Sequence, residues 1–130
     1  MIPARKDFKK AFEKKICLSY NINMSLATQS IIRILEKNVR TLDKYRVKRI
    51  GLFGSYSRGD QKKSSDVDIL VEFDMSSFDE NFSGYFDNYM SLKSTLRELL
   101  KLKVDLVTTD MISPYIKPYL ENEIQYAKTA

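Results

Sequence analysis

The chain has 130 residues, enough for one domain around a single core, and its 43% hydrophobic and 30% charged content is that of a folded globular protein rather than a disordered one. A formal net charge of +5 suits polyanionic partners such as nucleotides, nucleic acid or an acidic protein, without choosing among them. Histidine is absent and Cys17 is the only cysteine, which excludes Ser-His-Asp and Cys-His catalysis, histidine metal ligands, intramolecular disulfides and four-thiolate zinc sites.

Residues 1–20 are basic and amphipathic. Phe8, Phe12 and Ile16 recur at helical spacing, while Arg5, Lys6, Lys9, Lys10, Lys14 and Lys15 fall mostly elsewhere around the helix. The plain reading is a surface helix packed on the domain or on a partner; a nucleic-acid or membrane-surface role is the alternative. No apolar run reaches the length of a membrane span, and no signal-peptide core follows the basic start; the single cysteine makes a reducing, cytoplasmic location the expectation. After a break at 21–25, a second helix is predicted over 26–44, with Leu26, Ile31, Ile32, Leu35, Val39 and Leu42 on one stripe.

From Val47 the chain becomes continuously apolar up to Phe53, which predicts a strand buried on both faces at its C-terminal end. Residues 54–59 are turn chemistry that can open a short helix, and 60–65 form a polar loop with Lys62 and Lys63. The next strand, 66–73, alternates: Val67, Ile69, Val71 and Phe73 share one face, Asp66 and Asp68 the other. A polar loop over 74–81 precedes a helix over 83–101, whose stripe is Tyr85, Tyr89, Leu92, Leu96 and Leu99, widened by Phe86 and Leu100. A third strand spans 104–109. The last helix is expected to start near Ser113-Pro114 and to bury Ile116, Tyr119, Leu120 and Ile124, with Pro118 kinking it or delaying its start. This order predicts an α+β fold, a small mixed sheet flanked by helices.

Two aspartates two residues apart at a strand start, Asp66 and Asp68, point the same way and repel unless a cation lies between them. Mg²⁺ suits such a pair, completed by substrate phosphates. Asp105, flanked by Val104 and Leu106, is a third candidate if its strand lies beside theirs. Each feature alone also reads as a solvated strand edge. Gly54 permits close backbone approach to a phosphate, Ser55 adds a hydroxyl, and Arg58 adds charge; an ordinary tight turn is the bland alternative. The phosphate-binding pattern G-x-x-x-x-G-K-[ST] is absent.

The combination is more specific than its parts. Ser55 is followed by ten residues and then Asp66-Val67-Asp68, giving G-S-x10-D-x-D, with the lone Asp105 on a later strand. This resembles the DNA polymerase beta-like nucleotidyltransferase superfamily, and within it the minimal nucleotidyltransferases, through G-L-F-G-S-Y-S-R-G, S-D-V-D-I-L-V-E-F, K-V-D-L-V-T-T and the C-terminal I-K-P-Y-L-E-N-E-I-Q-Y-A. The resemblance implies a nucleotidyltransferase domain over 25–130, preceded by a basic extension over 1–24 with no counterpart; Met24 is an alternative start. It implies that Gly54 and Ser55 hold the triphosphate of ATP, that Asp66 and Asp68 bind two Mg²⁺ ions, and that Asp105 completes the metal site and helps deprotonate the acceptor. Arg58 matches a basic position of the turn, for phosphate contact or a structural salt bridge. The chain is short for the extra domains with which larger relatives hold nucleic acid. Proteins of this kind pair as antitoxins with HEPN-domain RNase toxins and transfer AMP to a toxin tyrosine, and that is the leading expectation. Small-molecule nucleotidylation, as in aminoglycoside-modifying relatives, and a non-catalytic toxin-binding antitoxin are the alternatives.

Overall fold

The computed structural model describes residues 26–129; the basic helix expected over 1–20, and Cys17 with it, lie outside the described residues. The apolar stripe predicted over 26–44 forms two helices, α1 (Leu26–Lys37) and α2 (Val39–Lys44). They part at Asn38, whose side-chain amide donates to the Ile34 carbonyl at 2.7 Å, the local competition with backbone bonding that makes asparagine a poor helix interior. Leu26, expected on the buried stripe, is 80% exposed, one turn short of the core reached by Ile31, Ile32 and Leu35.

Strand β1 (Val47–Phe53) runs into a short helix, α3 (Gly54–Arg58), followed by β2 (Val67–Phe73), α4 (Tyr85–Leu100), β3 (Val104–Thr108), α5 (Lys117–Glu123) and β4 (Gln125–Tyr126). The sheet order is β3-β2-β1-β4. β1 is antiparallel to both β2 and β4, while β2 and β3 are parallel. The parallel pair requires a crossover, and α4 supplies it.

One hydrophobic cluster joins Ile50 and Leu52 of β1, Val67, Ile69, Val71 and Phe73 of β2, and Val104 and Leu106 of β3 to the buried stripes of α1, α2 and α4. Leu92, Leu96 and Leu100 carry the α4 stripe; Phe86, expected to widen it, is 69% exposed in the first turn of the helix. Among the described residues no helix is long and apolar enough to cross a membrane.

The C-terminal segment departs most from expectation. Pro118 lacks an N–H and is accommodated in the first turn of α5, so the helix begins only at Lys117. Ile116 and Tyr119, expected to be buried, are 53% and 75% exposed. Leu120 and Ile124 instead line a small cavity with Arg49, Leu70 and Tyr126, over the second face of the sheet. The chain then adds β4, a two-residue strand. Gly51 admits it: a Cβ there would meet Ile124 Cγ2 at 2.8 Å and the Gln125 carbonyl oxygen at 3.0 Å.

Candidate functional site

The site is built at one end of the sheet, on the face away from the hydrophobic cluster. Phe53, the last residue of β1, is the register partner of Asp68 in β2. Asp68 is in turn the register partner of Asp105 in β3. Neighbouring strands stand about 5 Å apart, so the sheet sets the two aspartates side by side. Asp105 is exposed between the buried Val104 and Leu106, as strand alternation requires. Asp66 is exposed in the chain just before β2.

The turn after β1 presses on this row. Gly54 has φ +74°, and a Cβ on it would fall onto the Asp68 carboxylate, far inside contact distance. Only glycine meets both conditions. Ser55 follows, half-buried, in the single turn of α3. Tyr56 and Ser57 turn inward and are buried. The Thr28 hydroxyl donates to the Tyr56 carbonyl, tying α3 to α1. The helix ends on Gly59 at φ +80°, where the Asp60 N–H donates to the Ser55 carbonyl at 3.0 Å.

Glu123, at the end of α5, reaches into the turn. Its Oε2 accepts from the Gly54 N–H at 2.7 Å. Arg58 Nη1 approaches the same oxygen at 3.4 Å, and Arg58 Nε approaches Asp60 Oδ2 at 3.3 Å. The Ser57 hydroxyl donates to the Glu123 backbone carbonyl. Of the two expectations for Arg58, the structure displays the salt bridge. Glu123 is the residue that sequence reasoning missed. It lies 69 positions from Gly54, in a segment whose local pattern says only helix end.

Burial raises the proton affinity of the Asp68 carboxyl, and the negative charges of Asp105 and Asp66 raise it further; Arg58 opposes them and Glu123 adds to them. Three carboxylates thus meet at one strand end with incomplete compensation. Their oxygens are the hard donors that Mg²⁺ takes. Among the described residues no three acidic side chains close into a ready cage for an ion. The arrangement is an open face, as suits an ion that draws its remaining ligands from substrate phosphates and water.

Comparisons with known proteins show the family and the fold. The Nucleotidyltransferase domain family matches residues 32–127. A protein of Methanocaldococcus jannaschii, provisionally named protein adenylyltransferase MJ1379, is 47% identical over 98 residues, 74% of this chain and 93% of that protein. Protein adenylyltransferase MntA of Thermococcus cleftensis is 36% identical over 98 residues, 75% of this chain and 90% of that protein. A solved structure provisionally assigned as a minimal nucleotidyltransferase superposes with TM-score 0.58 at 28% identity, over 80% of this chain and 97% of that one. A toxin–antitoxin structure with AMP-PNP superposes with TM-score 0.52 at 27% identity, over 81% of this chain and 75% of that one.

Proposed function

The chain belongs to the nucleotidyltransferase domain family and is a nucleotidyltransferase, and from that premise we propose that it transfers AMP from ATP to a tyrosine hydroxyl of a HEPN-type toxin and thereby acts as its antitoxin. The observation that carries this reading is the register of β2, which puts Asp68 beside both Asp105 and the strand end that leads into Gly54-Ser55.

In this reading the Gly54-Ser55 turn and the Ser55 hydroxyl hold the triphosphate, and the Arg58 guanidinium adds positive charge beside it. Asp66, Asp68 and Asp105 would hold Mg²⁺. When bound, the metal supplies charge stabilisation at the α-phosphate and at the departing pyrophosphate. Asp105 is the most exposed strand carboxylate of the row, open to an acceptor arriving from solvent, and its carboxylate takes the hydroxyl proton. The acceptor oxygen forms a bond to the α-phosphorus, the bond from that phosphorus to the bridging oxygen breaks, and pyrophosphate leaves with the electron pair. A protein acceptor is favoured by the names of the similar sequences, and a nucleotide by the AMP-PNP of the structural neighbour.

The test is incubation with ATP labelled at the α-phosphate and Mg²⁺, with and without the product of a neighbouring HEPN gene. Label on a partner tyrosine is expected. Neutralisation of the toxin that survives Asp66→Asn with Asp68→Asn would replace catalysis by simple binding, and failure to bind ATP with Mg²⁺ would remove the enzymatic reading.

A further inference from the structure

We infer that Glu123 is a positioning residue of the transfer site: its carboxylate fixes the Gly54-Ser55 turn and holds Arg58 beside it. The inference rests on the reading of that turn as the nucleotide-binding element.

Gly54 stands between two carboxylates with different tasks. Asp68 lies against its Cα, on the side of the chemistry. Glu123 accepts its N–H at 2.7 Å. The N–H belongs to the peptide between Phe53 and Gly54, at the junction where β1 stops and α3 starts. At that junction the donor has left the β-ladder and has no intrahelical acceptor, so a half-buried turn needs an outside partner for it. Holding this peptide plane also fixes the direction in which Ser55 leaves it, since only two soft dihedrals separate one plane from the next.

Glu123 is placed for this from both ends. The Ser57 hydroxyl grips its backbone carbonyl. Immediately after it, β4 pairs with Gly51 and Leu52 of β1, and the Ala127 N–H donates to the Ile50 carbonyl at 2.9 Å. The backbone that carries the acid is therefore tied to the strand whose turn the acid serves. A carboxylate this near Asp68 adds unwanted negative charge to an anion-binding site. Arg58, with Nη1 at 3.4 Å, offsets that charge and is kept within reach of the turn.

Glu123→Gln keeps an oxygen acceptor for the Gly54 N–H and removes the charge; Glu123→Ala removes both. Two measurements on the full chain separate the possibilities: the amide proton shift of Gly54 without nucleotide, and the dissociation constant for ATP with Mg²⁺ by calorimetry. In Glu123→Ala the Gly54 amide is expected to move upfield and the dissociation constant to rise roughly tenfold, the worth of one hydrogen bond to a charged acceptor. Glu123→Gln is expected to restore most of both. Tighter ATP binding by Glu123→Ala would overturn the inference, because the carboxylate would then be competing with the phosphate. So would weaker binding that tracks a fall in melting temperature and is not rescued by glutamine. A Gly54 amide that does not move in Glu123→Ala, in a wild type that binds ATP, overturns the inference alone. A wild type that binds no ATP overturns the premise, and the inference with it.

Discussion

On one face of β2, Val67, Ile69, Val71 and Phe73 are buried in the hydrophobic cluster. On the other, Asp68 is half-covered, with Asp105 beside it and Gly54 against it. The first face lowers the free energy of the fold with every apolar group it removes from water. The second raises it, because burial and neighbouring negative charge both disfavour the ionised Asp68. A seven-residue strand thus carries on one side what holds the domain together and on the other what strains it. The strained side is the one on which function is proposed, as expected where perturbed carboxylates are gathered for chemistry.

Substitutions on the two faces should separate activity from stability. Asp68→Asn is expected to lower AMP transfer by about a thousandfold or more, the usual scale for losing a principal electrostatic element of a transition state, while leaving the fold intact; transfer rate and circular dichroism check both halves. Ile69→Ala, one residue away on the other face, should cost about 2–5 kcal/mol in denaturant unfolding, because Ile69 is fully buried and leaves a cavity behind. Any activity lost there should follow the unfolded fraction.

The pH dependence sharpens the contrast. The Asp68 carboxyl has a raised folded-state pKa, so the native state holds its proton more tightly than the unfolded chain. Its favourable contribution is complete below the ordinary carboxylate range and disappears as pH rises through the raised value. In chelator, the stability of Asp68→Asn should therefore gain on wild type from acidic to neutral pH. Added Mg²⁺ should stabilise wild type and not the variant, by mass action. A stability difference that shrinks with rising pH would sink this account. The smallest effect is expected far from both faces: Tyr119→Ala, at a side chain 75% exposed, should change unfolding free energy by less than about 0.5 kcal/mol.

Local periodicity made much of the fold legible. The alternation of 66–73 and the leucine spacing of α4 are short-range consequences of strand and helix geometry, and they reappear as β2 and as the buried Leu92, Leu96 and Leu100. The helix stripes were legible in type but not at their ends. Leu26 and Phe86 sit at helix starts, where none of the described elements covers them. Ile116 and Tyr119 misled because Pro118 shortens the helix: Ile116 precedes it and Tyr119 lies on its exposed side.

What the sequence by itself determined is which residues can do chemistry: carboxylates at the start of one strand and within another, a Gly-Ser turn at a fixed spacing before them, and no histidine to compete for the role. Tertiary structure decided which of them meet. The parallel register of β2 and β3 put Asp105 beside Asp68, and the return of the chain along β1 as β4 brought Glu123 to Gly54. Interstrand register and a two-residue strand leave no periodic trace in the chain, because pairing depends on how distant hydrophobic faces fit once the core has closed.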